Sequence, residues 1–155
     1  MSFVEKEMDY FMFMQLQDMA SSFLEKDVQV QFNQVSFLDI YTPKVTISSF
    51  WENRGSKSHL REKSDIYLRA LGNYRFSDRN SIIRFEKKNK KSLLPSFSKQ
   101  LFAFLEDIRL EQMILSLRPG TIHSFHFRKE QFIPFFQDQW KVNLTRGFSA
   151  DSLFC

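Results

Sequence analysis

The sequence has little cysteine, glycine or proline, and it has no long hydrophobic run. Its 155 residues include 1 Cys, at the last position, with 4 Gly and 4 Pro. A single Cys excludes a disulfide framework and favours a reducing compartment, and so few Gly and Pro argue against a disordered or repetitive chain. No apolar run reaches the roughly 18 residues of a membrane-spanning helix, and the first residues lack the layout of a signal peptide. These absences predict a soluble, cytoplasmic protein without membrane insertion.

Bulky apolar residues are abundant instead. Hydrophobic residues make up 43% of the chain, which has 19 Phe and 6 Met. A chain of 155 residues is long enough to bury a sizeable core. We therefore expect a single domain over residues 1–155 with a large aromatic interior.

Alternation of polar and apolar residues predicts three short strands early in the chain. The stretch VQVQF alternates strictly, and much of SFLDIYTPKVTI does so as well. A period of two is typical of half-buried strands. The strands are expected over residues 28–32, 37–41 and 44–48, and a turn at Thr42-Pro43 joins the last two.

Helical spacing and capping residues predict the remaining elements. Apolar residues recur at helical spacing over residues 7–26, which predicts the first helix. Ser64 is expected to cap the second helix. Ser77-Asp78 is expected to cap a third helix, which ends near residue 88. Longer helices are expected over residues 96–117, closed by Pro119-Gly120, and 122–142, kinked or interrupted by Pro134. The predicted class is helix-dominated α+β, with a small antiparallel sheet packed on a helical body.

Much of the excess positive charge lies in one basic run, RFEKKNKK, at residues 84–91 of a chain with net charge +4. Such a run can bind phosphates by releasing counterions, so weak nucleic-acid binding through residues 84–91 is one interpretation. The other is a solvated helix end, the usual role of a charge run. Because no aromatic interleaving or nucleic-acid motif accompanies the run, nucleic acid is not expected as a partner.

The stretch FLEDIRLEQ, residues 104–112, sets four charges among bulky apolar residues. At helical spacing, the apolar residues around it fall on two faces. One face carries Phe97, Leu101, Leu105 and Ile108, and the other carries Phe102, Leu110, Met113 and Leu117. A helix that is apolar on two faces is expected to be buried on both, so its charges are expected inside the protein.

Buried charges must be paired. Glu106 and Arg109 are three residues apart and can meet on a helix, whereas Asp107 and Glu111, four apart, are like charges that repel. Two acids on one face need a cation, either a metal or an arginine or lysine from elsewhere. Two interpretations stay open: an ion network that fixes helix packing, and a metal or catalytic site.

A polar loop, WENRGSKSH at residues 51–59, begins with a large aromatic residue. Trp51, Glu52 and Arg54 combine that ring with opposite charges, a composition enriched at binding hot spots. We interpret these three residues as a surface patch for a partner. The alternative is that Trp51 covers the local core.

The segment LFAFLEDIRLEQMILSLRPG resembles the ALEDxRxE…PG segment of a known group of proteins. These are the amino-terminal regions of von Willebrand factor A-containing proteins of the nitric-oxide-reductase activation and cobaltochelatase-subunit type. SSFWENR, KSDIYLRALGNYRFSD and VNLTRGFSADSLF extend the resemblance over most of the chain, in the manner of the Bacillus-type branch. The resemblance implies the amino-terminal fragment of a longer chain, whose von Willebrand A domain is absent here.

In some proteins that resemble this chain, a His-Glu-x-x-His stretch occupies the position of RALGNYRFSD. Two histidines four residues apart bind zinc from one helical face, and the Glu acts as base. Here Arg69 stands at the first His, Ala70 at the Glu and Asn73 at the second His, so no zinc-activated water can form. The resemblance thus implies a degenerate zincin-like fold with a lost active site, without metal or cofactor. We expect Arg69 to pair with Glu106 or Asp107 in place of zinc.

Two function classes remain after these arguments. Proteins of the resembled type act with MoxR-type AAA+ ATPases to mature or activate metalloenzymes, which implies a non-catalytic scaffold whose partner is the AAA+ ATPase or its client. The alternative is a metal-dependent hydrolase that uses Glu106, Asp107 and Glu111. In the first case, the altered site persists as an ion network made of Arg69, Asn73, Glu106, Asp107, Arg109 and Glu111.

Overall fold

Helices dominate the computed structural model, which describes residues 10–51 and 59–147. Three short strands near the start of the chain form one sheet. The predicted helix-dominated α+β class is therefore confirmed. By its internal contacts the chain divides into unit 1, Met1–Tyr74, and unit 2, Arg75–Cys155. The single domain over residues 1–155 stays a prediction.

The first helix of unit 1, α1, spans Tyr10–Leu24. Its buried residues are Leu16, Ala20, Phe23 and Leu24. They recur at the i, i+4, i+7 and i+8 spacing that places side chains on one helical face. The Phe23 ring lies 5.8 Å, centroid to centroid, from the Tyr67 ring, so this face packs on the helical segment that follows the sheet.

The sheet contains β1 (Gln29–Asn33), β2 (Phe37–Asp39) and β3 (Lys44–Ser48), with β3 in the centre. The β2 and β3 strands pair antiparallel, with Leu38 opposite Val45. Between them the Asp39 carboxylate accepts hydrogen bonds from the Thr42 hydroxyl and from the Tyr41 and Thr42 amides. These bonds, the hydroxyl first, lower the pKa of Asp39 below its ordinary value and define the turn.

The prediction of an antiparallel sheet is wrong for one of the two strand pairs. Strand β1 runs parallel to β3, with Val30 opposite Val45 and Phe32 opposite Ile47, so the sheet is mixed. Alternation identifies a strand but not its neighbour. The β2–β3 hairpin folds back so that β3, rather than β2, lies against β1.

A helical segment follows the sheet of unit 1 and ends at the first residues of unit 2. It starts as α2 (Leu60–Ile66), continues as a π-helix (Tyr67–Asn73), and ends with the short α3 (Tyr74–Phe76). Its buried apolar residues are Ile66, Leu68, Ala70 and Leu71. Single-turn π segments inside helices are frequent at functional sites, and this one lies on the RALGN stretch.

The prediction that Ser64 caps a helix is wrong. The α2 helix begins four residues earlier, and Ser64 is fully buried inside it. Its hydroxyl donates to the carbonyl oxygen of Arg61 at 2.5 Å. A serine can bond to the preceding turn in this way instead of capping, and the sequence motif does not separate the two roles.

The carboxylate of Asp65 joins α2 to the end of the sheet. Asp65 is fully buried, and its Oδ2 accepts hydrogen bonds from the Ser48 amide at 2.9 Å and from Trp51 Nε1 at 2.8 Å. Trp51 ends a 3-10 turn that directly follows β3. One buried oxygen thus fixes the position of the helix against the strand and the indole.

Unit 2 contains α4 (Arg79–Asn89), α5 (Pro95–Leu117) and α6 (Ile122–Thr145). The predicted cap of α4 is confirmed, because the Asp78 carboxylate accepts from the Asn80 amide. A hydrogen bond from the Ser81 hydroxyl, followed by the Asn80 amide, lowers the pKa of Asp78. Within the described ranges, no helix is long and apolar enough to cross a membrane.

The structure tests two predictions made from prolines, one about where α5 ends and one about whether Pro134 interrupts α6. Helix α5 ends at Leu117, and a 3-10 turn, Pro119–Thr121, leads into α6, so the predicted stop at Pro119-Gly120 is confirmed. Pro134 does not interrupt α6, which continues on both sides of it. A proline inside a helix removes one hydrogen bond, and this helix continues without that bond.

We expect Asp65→Ala to lower the free energy of unfolding by about 3 kcal/mol, because two buried donors lose their charged acceptor. The matched control is Asp138→Ala on the exposed surface of α6, where a change below about 0.5 kcal/mol is expected. Urea unfolding followed by Trp fluorescence and far-UV circular dichroism measures both. Equal stability of the two variants would contradict the role given to Asp65.

Candidate functional site

The two positions at which the resemblance expects zinc-binding histidines lie together in unit 1. Arg69 Nη1 donates a hydrogen bond of 2.9 Å to Asn73 Oδ1 on the π-helix. Arg69 Nε donates to the Ser36 hydroxyl, which precedes β2, at 3.1 Å. Residues 69 and 73 therefore share one helical face, and the guanidinium ties that face to the sheet.

Small buried residues surround this pair on the π-helix. Ala70, which stands where the resemblance places the general base, is fully buried, and Gly72 is buried as well. Arginine, alanine and asparagine in this arrangement supply neither a zinc ligand set nor a base. The arrangement instead crosslinks the π-helix to the sheet. The pairing of Arg69 with Glu106 or Asp107, which belong to the other unit, stays a prediction, as does the zincin-like fold.

In unit 2, Glu106 is held by donors on both sides. Arg109 Nε and Nη2 donate to its two carboxylate oxygens at 2.7 Å, and the Ser77 hydroxyl donates to Oε1 at 2.6 Å. Arg109 Nη2 also donates to the Phe76 carbonyl oxygen at 2.8 Å. The hydrogen bonds to Glu106 raise the pKa of Arg109 above its ordinary value. The predicted meeting of Glu106 and Arg109 is thus confirmed, and it anchors α5 to the segment before α4.

A lysine from α6 neutralises a second acid of α5. Glu111 is 9% exposed, and its Oε1 accepts a hydrogen bond of 2.5 Å from Lys129 Nζ. The expectation that the acids need a cation from elsewhere in the chain is confirmed for Glu111. Asp107 is half-buried on the same helix. Charge pairing of this kind offsets the cost of removing a carboxylate from water.

The structure brings the acids together less closely than a metal site requires. Within residues 10–51 and 59–147, no group of three or more His, Cys, Asp or Glu side chains is placed to hold a metal ion. Glu106 and Glu111 each bind a basic side chain of their own unit. The geometry of the described residues therefore gives no support to a hydrolase built on Glu106, Asp107 and Glu111.

The expectation that both apolar faces of α5 are buried is wrong. On the second face only Leu110 is fully buried, whereas Met113 and Leu117 are 42% and 53% exposed. Leu110 and Ile114 are fully buried. Phe104, Leu105 and Ile108 are 60%, 55% and 45% exposed, and Phe97 is 39% exposed. We call these four residues, Phe97, Phe104, Leu105 and Ile108, the α5 stripe. Helical spacing identifies an apolar face, but it does not say whether a neighbouring element covers that face.

The prediction of a surface patch is wrong for Trp51. Its side chain is 1% exposed, and its Nε1 bonds to the buried carboxylate of Asp65. The Phe50 ring packs edge-on against it, with the centroids 4.8 Å apart. The burial of Trp51 agrees with the alternative interpretation, in which this side chain belongs to the local core. Glu52 and Arg54 lie outside the described residues.

The basic run is part of an exposed helix. Arg84 Nη2 donates to the Ser81 hydroxyl at 3.0 Å and lies 3.9 Å from the Asp78 carboxylate, with its side chain 72% exposed. Lys87 and Lys88 lie in the last turn of α4, where cations interact favourably with the helix dipole. This agrees with the interpretation of the run as a solvated helix end.

Two structural contacts have no clear signal in the sequence. Asp65 sits in the first third of a helical segment, where acids are common, and nothing marks it as the acceptor for Trp51. Lys129 lies 18 residues from Glu111, beyond the reach of any local spacing rule. Both pairings depend on how the elements pack.

Comparison with known proteins finds similarity without a described function. The chain is similar to the uncharacterized protein YojO of Bacillus subtilis (strain 168), with 36% identity over 156 residues. The similarity covers 99% of this chain and 24% of YojO, so the chain spans about a quarter of that protein's length. No family model matches the chain. No solved structure matches it either.

We expect Arg69→Ala to lower the free energy of unfolding by about 1–3 kcal/mol, since a half-buried charged donor loses its bonds to Ser36 and Asn73. Arg84→Ala is the control, because Arg84 is exposed and its ion pair is worth about 0–1 kcal/mol. Denaturant unfolding of both variants checks the difference. If Arg84→Ala proves the more destabilising change, Arg69 is not a structural crosslink.

Proposed function

We propose that this chain is a non-catalytic interaction module of a von Willebrand A protein that assists a MoxR-type AAA+ ATPase in metalloenzyme maturation or activation. The proposal takes the protein class from the segments that resemble such proteins. Similarity to about a quarter of YojO is in keeping with a module of a larger protein. The single Cys of the chain favours the cytoplasm as its location.

The observation that carries the proposal is the α5 stripe. Four bulky apolar side chains, two of them aromatic, project from one helix and keep 39–60% of their area exposed. An exposed apolar patch of contiguous residues is typical of a protein-binding surface. Its helical spacing suits a partner helix or groove that contacts every third or fourth residue.

The pairing of Glu106 and Glu111 with other side chains of the chain supports a non-catalytic role. A general base or metal ligand must be open to its substrate or metal, whereas Glu106 accepts three hydrogen bonds from Ser77 and Arg109. Glu111 is paired with Lys129. Charges used in this way fix helix packing and keep α5 in a defined orientation. A rigid helix presents the α5 stripe with a low entropy cost on binding.

The test is a binding measurement with a MoxR-type AAA+ ATPase from the same organism. We expect Phe104→Ser/Ile108→Ser to weaken binding at least tenfold, because large apolar side chains at an interface centre contribute about 2 kcal/mol or more each. The matched control is Phe11→Ser/Met14→Ser on α1, whose side chains are 72% and 62% exposed. Biolayer interferometry gives the dissociation constants, and circular dichroism checks that both variants fold.

Two outcomes would count against the module. One is unchanged binding of the stripe variant. The other is an equal loss of affinity in the α1 control, which would indicate nonspecific hydrophobic binding rather than binding through a specific surface. Zinc-dependent peptide hydrolysis by the wild-type chain would contradict the non-catalytic part of the proposal.

A further inference from the structure

A buried guanidinium with two unsatisfied nitrogens lies at the start of α2. Arg61 is 2% exposed, and its Nε and Nη1 atoms are enclosed and form no hydrogen bond. Arginine is almost never buried unless it is paired. The reason is that removing its charge from water costs several kcal/mol unless an anion compensates. An enclosed guanidinium of this kind indicates an anion that belongs to it.

The acid best placed to neutralise Arg61 is already used. Asp65 lies four residues further along α2, the spacing at which an arginine and a carboxylate meet. Its Oδ2 instead accepts from the Ser48 amide and Trp51 Nε1. Across residues 10–51 and 59–147, no ion pair of Arg61 with a carboxylate is present.

The next residue along the helix is a buried acceptor in the same condition. Glu62 is 7% exposed, and its Oε2 has no hydrogen-bond donor. Two adjacent residues of α2 thus present an unsatisfied cation and an unsatisfied carboxylate oxygen that do not pair with each other. An anion alone would satisfy Arg61. An anion that also carries a donor could satisfy both.

We propose that Arg61 binds an oxyanion, with Glu62 accepting a hydrogen bond from a protonated group of the same ligand. Guanidinium groups bind phosphate and carboxylate oxygens through charge-assisted hydrogen bonds, and their planar array of donors suits both. Monohydrogen phosphate has an anionic edge and an O–H donor, whereas acetate has only the anionic edge. Phosphate is therefore the tighter ligand of the two. The site is separate from the α5 stripe, so its test is independent of the proposed function.

The experiment compares sodium phosphate, sodium acetate and sodium chloride at equal ionic strength and pH 7. We expect the Tm of the wild-type chain to rise with the logarithm of phosphate concentration, because a ligand that binds only the folded state stabilises it. Acetate should produce a smaller rise and chloride none. Isothermal titration calorimetry with inorganic phosphate measures the same binding directly and needs no variant.

Arg61→Met is the deciding variant, and Arg84→Met is its control. Methionine fills a similar volume without charge, so Arg61→Met should be at least as stable as the wild type in chloride and should lose the response to phosphate. Arg84→Met should keep the response. Glu62→Gln should reduce the advantage of phosphate over acetate, because the acceptor for the protonated oxygen is weakened.

Three results would overturn the proposal. The first is the absence of phosphate binding to the wild type by calorimetry. The second is an equal Tm rise in Arg61→Met, which would be the general stabilising effect of phosphate as a salt. The third is a Tm of Arg61→Met far below that of the wild type in chloride alone, since that would mean that the guanidinium already has a partner within the chain. A response to acetate as large as that to phosphate would reject the role of Glu62.

Discussion

The buried carboxylate of Asp65 is the constraint on which the first unit depends. One oxygen accepts from a strand amide and from an indole N–H, so the end of β3, Trp51 and α2 hold each other in place. The cost of burying the charge is offset by these two bonds. The direction of α2 then sets that of the π-helix. On the π-helix, Arg69 adds a second contact with the sheet region through its hydrogen bond to Ser36.

The same rule, that an enclosed charge must be compensated, organises the second unit. Glu106 is enclosed by Arg109 and Ser77, and Glu111 is paired with Lys129. The contacts with Ser77 and Lys129 join α5 to other segments of the second unit, so these acids connect the helix to its neighbours. Carboxylates used in this way are poorly suited to metal chemistry. A packing role accounts for the charges on α5 without a catalytic one.

The sequence predicts helix boundaries correctly where they depend on residues that are close to one another along the chain. Asp78 caps α4 through a bond to an amide two residues away, and α5 ends before Pro119, because the residue that precedes a proline disfavours the helical conformation. The pairing of Glu106 with Arg109 follows from a spacing of three residues. In each case the partners are neighbours along the chain.

The errors concern partners that are distant along the chain. Whether β1 lies beside β2 or β3 depends on how the hairpin folds back, and alternation is the same in both cases. Trp51 stands in a polar stretch, yet its side chain is buried and donates a hydrogen bond to an aspartate 14 residues later. Exposure of the α5 stripe likewise depends on which elements lie near it. Patterns identify faces and caps, whereas packing decides what covers them.

The central claim is that Arg69 on the π-helix and the charged residues of α5 serve packing. Metal analysis by mass spectrometry after purification in zinc-supplemented medium tests it most directly. We expect the wild-type chain to carry no stoichiometric zinc and to keep its Tm in a chelator. One zinc per wild-type chain, with loss of folding on chelation, would contradict it.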